Sequence, residues 1–231
     1  MNIYQKSHQI NFFTNNEDIP VSHPVISFLM DRLAKFNLFP TYGQEVNTAT
    51  GSKRQVFSMV NVDQTLKIDF PSHGIFITSF SGDFNDFIES SMPLLTTLQS
   101  CLPTKLAHRV AVLTSSFYKS EEQIYNQLYR ELFTYHEVEP FEWDNRVALR
   151  KYIHGFDEIV NSISTVRRGE FVAPFLNGGF PNDSIVFETD VNTLPQNGVY
   201  RFNWDSFMET VRALSNEVNQ SVVKLSRYTS L

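Results

Sequence analysis

Residues 71–76, Pro-Ser-His-Gly-Ile-Phe, match residues 195–200, Pro-Gln-Asn-Gly-Val-Tyr, in the order of a turn followed by an apolar pair. A second match follows each of these segments. Residues 84–89 read Phe-Asn-Asp-Phe-Ile-Glu, and residues 204–209 read Trp-Asp-Ser-Phe-Met-Glu. Proline fixes φ and glycine accepts φ > 0, so both Pro-x-x-Gly segments are typical of a structural turn. The repeated order of turn, short strand and helix entrance predicts an internal duplication.

Both halves place an amphipathic helix after the repeated turn, because apolar residues recur there at helical spacing. These residues are Phe84, Phe87, Ile88, Leu94, Leu95 and Leu98 in the first half, and Trp204, Phe207, Met208, Val211, Leu214 and Val218 in the second. Asn85 and Asp205 are predicted to be the N-caps of the two helices. We expect segments 55–101 and 170–222 to superpose, with Phe87 and Phe207 buried at equivalent positions.

Short strands are predicted before each of these helices. Alternating apolar and polar residues, separated by turn signals, indicate three strands before each helix and a hairpin in the second half. The strands are predicted at 55–61, 64–70 and 75–80, at 145–153 and 158–167, and at 170–176, 184–190 and 198–202. The predicted fold class is α+β, with duplicated antiparallel-meander-plus-helix units. Two similar halves, residues 1–119 and 120–231, would pack together.

The composition sets limits on compartment and partners. The 231 residues carry a net charge of −6 and one cysteine, Cys101, so no intrachain disulfide can form. No apolar run approaches the roughly 20 residues of a membrane span, and the N-terminus lacks the apolar core of a signal peptide. These features predict a cytoplasmic protein with no membrane partner. The 21 phenylalanines against 9 glycines predict a large core, with aromatic residues left over for a partner surface.

No residue pattern in the chain points to a particular reaction. No two of the six histidines have the i, i+4 spacing of a helical zinc pair, and no Gly-x-Ser-x-Gly is present. The sequence therefore predicts no catalytic residue, no cofactor and no metal site. The connector 137–144 is the densest acidic stretch, with Glu137, Glu139, Glu142 and Asp144. Its carboxylates could gather a cation or act as acid and base, or they could form a solvated surface.

The main basic cluster consists of Arg146, Arg150, Lys151, Arg167 and Arg168. If segments 145–153 and 158–167 pair as a hairpin, several of these charges could share one face and contact phosphates. The competing interpretation is that the charges protect strand edges against aggregation.

Two further segments carry a family resemblance. His108-Arg109-Val110-Ala111 begins an Arg-led strand after the first repeat helix, and Asp190-Val191-Asn192-Thr193-Leu194 precedes the last helix. Together with the meander, this order resembles a sporadically distributed family of bacterial conserved hypothetical proteins of about this length. The resemblance would span most of the chain. It implies an association with mobile or defence genes and carries no activity over to this chain.

These observations favour a non-enzymatic cytoplasmic component that works by protein–protein contact or self-association, for example in a bacterial defence or toxin–antitoxin type complex. Sheet edges are natural places for strand addition. The alternative is a nucleic-acid-binding module that uses the basic 146–168 region. A second alternative is a hydrolase or nuclease that uses the acidic 137–144 connector.

Overall fold

Two long strands from different parts of the chain pair at the centre of the fold. A computed structural model describes residues 1–229. In it, strand β1 (Asn2–Phe13) runs antiparallel to strand β6 (Arg109–Lys119), and their register extends from Asn2 opposite Lys119 to Phe13 opposite Arg109. This pairing joins the strands on either side into one sheet, so both halves of the chain contribute to a single sheet.

The sheet has nine strands in the order β2-β3-β4-β5-β1-β6-β9-β8-β7, and every neighbouring pair is antiparallel. The remaining strands are β2 (Leu38–Val46), β3 (Lys53–Asn61), β4 (Leu66–Asp69), β5 (Ile75–Ser79), β7 (Trp143–Ile153), β8 (Phe156–Phe171) and β9 (Asn182–Thr193). The four α-helices are α1 (His23–Leu33), α2 (Phe84–Cys101), α3 (Glu122–Leu132) and α4 (Trp204–Leu225). The predicted mixed α+β class with antiparallel strands is confirmed. None of the helices that the structure describes is long and apolar enough to cross a membrane.

All four helices lie on one face of the sheet, which we call the helix face. Alternate residues of a strand point to opposite faces. On β6, Val110 and Val112 pack in the main core with α1, α2 and α4, and Tyr118, on the same face, packs in a second cluster with α3. The opposite face, the open face, carries no α-helix from residues 1–229. The segment 172–181 crosses one end of it, where the Phe175 ring stacks on Phe80 at 4.5 Å.

The helix entrances differ from the predicted caps. The N-cap of α2 is Asp83, whose side chain accepts from the Asn85 N–H at 2.9 Å. The N-cap of α4 is Asn203, whose side chain accepts from the Ser206 N–H at 2.9 Å. The predictions of Asn85 and Asp205 as caps are wrong, because both residues already lie in the first helical turn.

The two Pro-x-x-Gly turns occupy different places in the fold. The turn at 71–74 precedes the last strand of its meander, β5, whereas the turn at 195–198 follows the last strand of its own, β9. Neither Gly74 nor Gly198 has a positive φ. A Cβ on Gly74 would come within 3.0 Å of the Phe12 carbonyl oxygen, whereas one on Gly198 would meet nothing within 4 Å. The matching letters therefore serve different local needs.

The predicted strands of the first half are confirmed, whereas two of those in the second half are not. Those at 55–61, 64–70 and 75–80 correspond to β3, β4 and β5, and those at 145–153 and 158–167 lie within β7 and β8. The strands at 170–176 and 198–202 are wrong. β8 ends at Phe171, and the later segment contributes only one isolated bridge, between Ala107 and Phe202. Segments 55–101 and 170–222 thus do not share a strand–strand–strand–helix order, and an internal duplication is not shown.

The core should be more sensitive to one aromatic ring than to a helix cap. Phe207 is fully buried, and its ring makes an edge-on contact with Phe12 at 4.8 Å. We expect Phe207→Ala to cost about 3–5 kcal/mol, as for truncation of a buried phenylalanine. Asn203→Ala should cost about 1 kcal/mol, the usual effect of losing an N-cap. Urea midpoints would measure both, and a larger loss for the cap variant would contradict this packing.

Acid should weaken the fold through His8. This ring is buried between Phe84 and Phe87, with Nδ1 at 2.8 Å from Thr114 Oγ1. Burial lowers the pKa of His8 below its ordinary value of 6.5. Just below pH 6.5, His8 therefore takes up a proton in the unfolded chain but stays neutral in the folded chain. The contribution of His8 to the free energy of unfolding is therefore fully present above pH 6.5 and decreases as the pH falls below 6.5.

The measurement compares the free energy of unfolding of the wild type and His8→Asn between about pH 7.5 and pH 5. The wild type should lose stability more steeply than the variant as the pH falls. Burial also lowers the pKa of His108, so both proteins should lose some stability in acid. The effect of His8 is the difference between the pH dependence of unfolding in the wild type and in the variant. Parallel curves would rule out a contribution from His8.

Candidate functional site

The structure divides the predicted basic cluster between the two faces of the sheet. β7 and β8 pair as the expected hairpin, with Trp143 opposite Arg168 and Lys151 opposite Val160. Because side chains alternate along both strands, Lys151 and Arg168 lie on the helix face. Arg146, Arg150 and Arg167 lie on the open face. The five residues therefore do not form one surface.

Arg168 serves as a buried cross-link. Its guanidinium is 4% exposed and donates to both oxygens of Glu122, at 2.8 and 2.6 Å. It also donates to Asp183 at 3.2 and 2.8 Å and lies 4.6 Å from the ring centroid of Tyr125. Burial lowers the pKa of Arg168, but the two carboxylates outweigh it and raise the pKa above its usual value. The residue thus holds α3 against β8 and β9.

Lys151 is occupied by a buried carboxylate. Its ammonium group forms an ion pair with Glu217 of α4, which also accepts from Ser162 Oγ at 3.0 Å and Ser221 Oγ at 3.1 Å. Burial raises the pKa of Glu217, but the opposite effects of Lys151 and the two hydroxyl donors are larger in sum. The pKa of Glu217 is therefore below its ordinary value. A buried ionised carboxylate needs such partners. This ion pair fixes β7 to the helix layer.

The arginines of the open face are less constrained. Arg146 and Arg150 are exposed on β7. Arg167 lies 5.0 Å from the ring centroid of Phe171, and its Nη2 is 3.7 Å from Glu188 Oε2.

A polar patch that sequence analysis missed lies beside them, at the centre of the open face. Asn161 donates to Asn192 at 3.0 Å, and Asn192 donates to Asp190 at 2.8 Å. Burial raises the pKa of Asp190, while Asn192 and Arg109 oppose this. Asn11 Oδ1 and Arg109 Nε are buried there without a hydrogen-bond partner. Alternation of Asn11 with buried Ile10 and Phe12 was the available signal, but the strand order was needed to bring the patch together.

The acidic connector does not gather its carboxylates. Glu137, Glu139 and Asp144 are exposed, and Glu139 accepts from Arg130 Nη2 at 2.9 Å. Across residues 1–229, no group of three or more His, Cys, Asp or Glu side chains could hold a metal ion.

Strand β7 is a free edge of the sheet. It ends the strand order, so its outer N–H and C=O groups pair with no strand of the described chain. Val147 and Leu149 point to the helix face but are 51% and 55% exposed, because the helices do not extend over the middle of this strand. The strand contains neither proline nor glycine. β7 therefore combines unpaired main-chain groups with an uncovered aliphatic strip.

The opposite edge, β2, differs in sequence. It contains Pro40 and Gly43. Proline removes a main-chain donor, and both residues weaken a strand as a template for further pairing. Of the two edges, β7 is the one suited to receive another strand.

Comparisons with known proteins give no further indication of the function. No family model matches the chain, and no curated protein matches it.

Removing the partner of Glu217 should destabilise the fold. Lys151→Ala leaves a buried carboxylate without its cation, so we expect a loss of about 3–5 kcal/mol. Arg150→Ala, one position away on the other face, should stay within about 0.5 kcal/mol of the wild type. Adding Glu217→Gln to Lys151→Ala should recover part of the loss. Equal urea midpoints for the Lys151 and Arg150 variants would contradict this assignment.

Proposed function

We propose that this protein works by protein association, as a binding component rather than a catalyst, and that β7 is the strand that receives the partner. The observation that carries the proposal is the combination found on β7: a free edge without proline or glycine, with Val147 and Leu149 half exposed at the margin of the helix face, beyond the helices.

Main-chain pairing supplies the affinity in this mode of recognition. An extended segment that adds to a sheet edge satisfies the outer N–H and C=O groups, and its side chains alternate between the two faces. On the helix face of β7 such a segment would cover Val147 and Leu149. On the open face it would meet Asp144, Arg146 and Arg150, which carry both signs of charge. The charges therefore select the partner, while the hydrogen bonds and the aliphatic strip provide attraction.

The edge is held in place before the partner arrives. The ion pair of Lys151 with Glu217 fixes one end of β7 to α4. At the other end, Asn145 Nδ2 donates to the Leu132 carbonyl oxygen at 3.2 Å, and Trp143 is buried against Phe133. A strand that is already ordered loses little conformational entropy on binding, which favours association.

We further propose that the chain consists of two duplicated units, β1–α2 and β6–α4, with the boundary between them before Arg109 rather than after residue 119. Support comes from their shared order of a central strand, a helix, an antiparallel meander and a second helix, which β1–α2 and β6–α4 both follow. In this scheme each unit contributes one free edge, β2 or β7, directly after its first helix. Proline and glycine distinguish the first edge from the second.

The nucleic-acid alternative has less support. Lys151 and Arg168, two of its five basic residues, lie on the helix face in ion pairs with Glu217, Glu122 and Asp183. Only Arg146, Arg150 and Arg167 could therefore contact one phosphate backbone together.

The test is a comparison of two edge variants. Val147→Lys/Leu149→Lys places charges on the aliphatic strip of β7, and Tyr42→Lys/Val46→Lys places the same charges on exposed residues of β2. Light scattering would give the mass of each purified protein, and tagged protein would show what copurifies with it. We expect assembly in the wild type and the β2 variant, and its loss in the β7 variant. Identical behaviour of all three proteins would contradict the proposal.

A further inference from the structure

Resting on this proposed function, we propose that the partner at β7 is a second copy of the same chain. The two β7 strands pair antiparallel about a two-fold axis that passes beside Val147. The sheets of the two copies then continue into each other across β7. The order of charges along β7 and the face on which each side chain lies restrict how two copies can pair.

The symmetry restricts which residues can meet. Two identical strands pair antiparallel about an axis perpendicular to the sheet, so the helix faces of both copies stay on one side. Opposite residues then share a face, so Arg146 can lie opposite any residue of the open face, itself included, but never opposite Val147 of the helix face. Each allowed register is therefore defined by the residue of β7 that lies on the axis.

Charge and the length of the pairing together select one of these registers. With Asn145 on the axis, Asp144 lies opposite Arg146 in both chains, but only residues 143–147 of β7 pair, whereas residues 143–151 pair with Val147 on the axis. With Ala148 on the axis, Arg146 lies directly opposite Arg150, and with Arg146 on the axis it faces itself, so both place like charges together. With Val147 on the axis, Asp144 lies opposite Arg150 on both sides of the axis. Arg146 then faces Ala148, Asn145 faces Leu149 and Trp143 faces Lys151. This register turns the charges of β7 into two cross-strand ion pairs.

The same register covers the exposed aliphatic strip. Val147 meets its own copy on the helix face, and Leu149 from each chain lies diagonally beside it, within reach of large side chains. Because the helices of neither copy extend over the middle of β7, the four side chains fill the gap between the two helix layers. With Leu149 on the axis the strip is also covered, but Asp144 then has no basic residue of β7 opposite it.

Cysteine cross-linking distinguishes these registers. Cys101→Ser removes the single native thiol, and either Val147→Cys or Leu149→Cys is then introduced. In the proposed register the two Val147 positions are about 5 Å apart between Cβ atoms, close enough for a disulfide. The two Leu149 positions are offset by four residues, or about 13 Å along the strand. Mild oxidation should cross-link the Val147→Cys protein into a dimer and leave the Leu149→Cys protein uncross-linked.

Charge reversal provides an independent readout. Asp144→Arg or Arg150→Asp alone places like charges opposite each other twice, so dimerisation should weaken by about tenfold or more. The double variant Asp144→Arg/Arg150→Asp should restore it. Lys53→Asp is the matched control, since it reverses an exposed charge on β3 at the opposite end of the sheet, and it should leave the dimer intact. Sedimentation equilibrium would give the dissociation constants, and thermal melting would confirm that each variant is folded.

The outcomes separate this inference from the proposed function. A dimer that cross-links through Leu149→Cys, or through neither cysteine, would overturn the register. A chain that is a monomer alone but takes up another protein in a β7-dependent way would overturn the second copy as partner and leave the proposed function in place. A monomer that captures the same proteins whether or not β7 carries the two lysine substitutions would contradict both the second copy as partner and the proposed function. A dimer that cross-links through Val147→Cys and is rescued by the double reversal would support both.

Discussion

The antiparallel pairing of β1 with β6 is the interaction on which the rest of the structure depends. It joins β2–β5 on one side of the sheet to β7–β9 on the other, so α1, α2 and α4 can pack on the same face over a continuous core. The cost of this arrangement is a face without helices and two edges without partners. A sheet that closed on itself would have no free edges, and a sheet with helices on both faces would have no open face. The proposed interaction site is therefore a consequence of how the halves are joined.

Side-chain alternation decides what each charge near that site can do. Neighbours in sequence, Arg150 and Lys151, have opposite environments: one is exposed on the open face, and the other is bound to buried Glu217. Arg167 and Arg168 also lie on opposite faces: Arg167 is half-buried beside Glu188 on the open face, and Arg168 is buried in ion pairs with Glu122 and Asp183. Residues on the helix face exchange solvation for ion pairs and thereby support the fold, whereas those on the open face remain available to a partner. Sequence clustering of charge consequently says little about surface charge in a sheet protein.

Local patterns predicted local structure well. Helical spacing placed Phe87 and Phe207 in the core, and alternation located the hairpin formed by β7 and β8. The second Pro-x-x-Gly segment led to a wrong prediction of a strand at 198–202. Such a turn can precede or follow a strand, and its sequence does not distinguish the two cases. The caps Asp83 and Asn203 were missed because several polar residues at each helix entrance could serve. The free edge and the open-face polar patch depend on strand order, which arises from long-range pairing that no short segment encodes.

Amide hydrogen exchange across the two sheet edges tests the central claim most directly. Both β2 and β7 are edges within one chain, so in a monomer their outward amides should exchange at comparable, fast rates. If β7 receives a strand from another copy, its outward amides between Asp144 and Arg150 should become protected as protein concentration rises. Those of β2 should stay fast at every concentration. Protection on β2 instead, or fast exchange on both edges at all concentrations, would contradict the account.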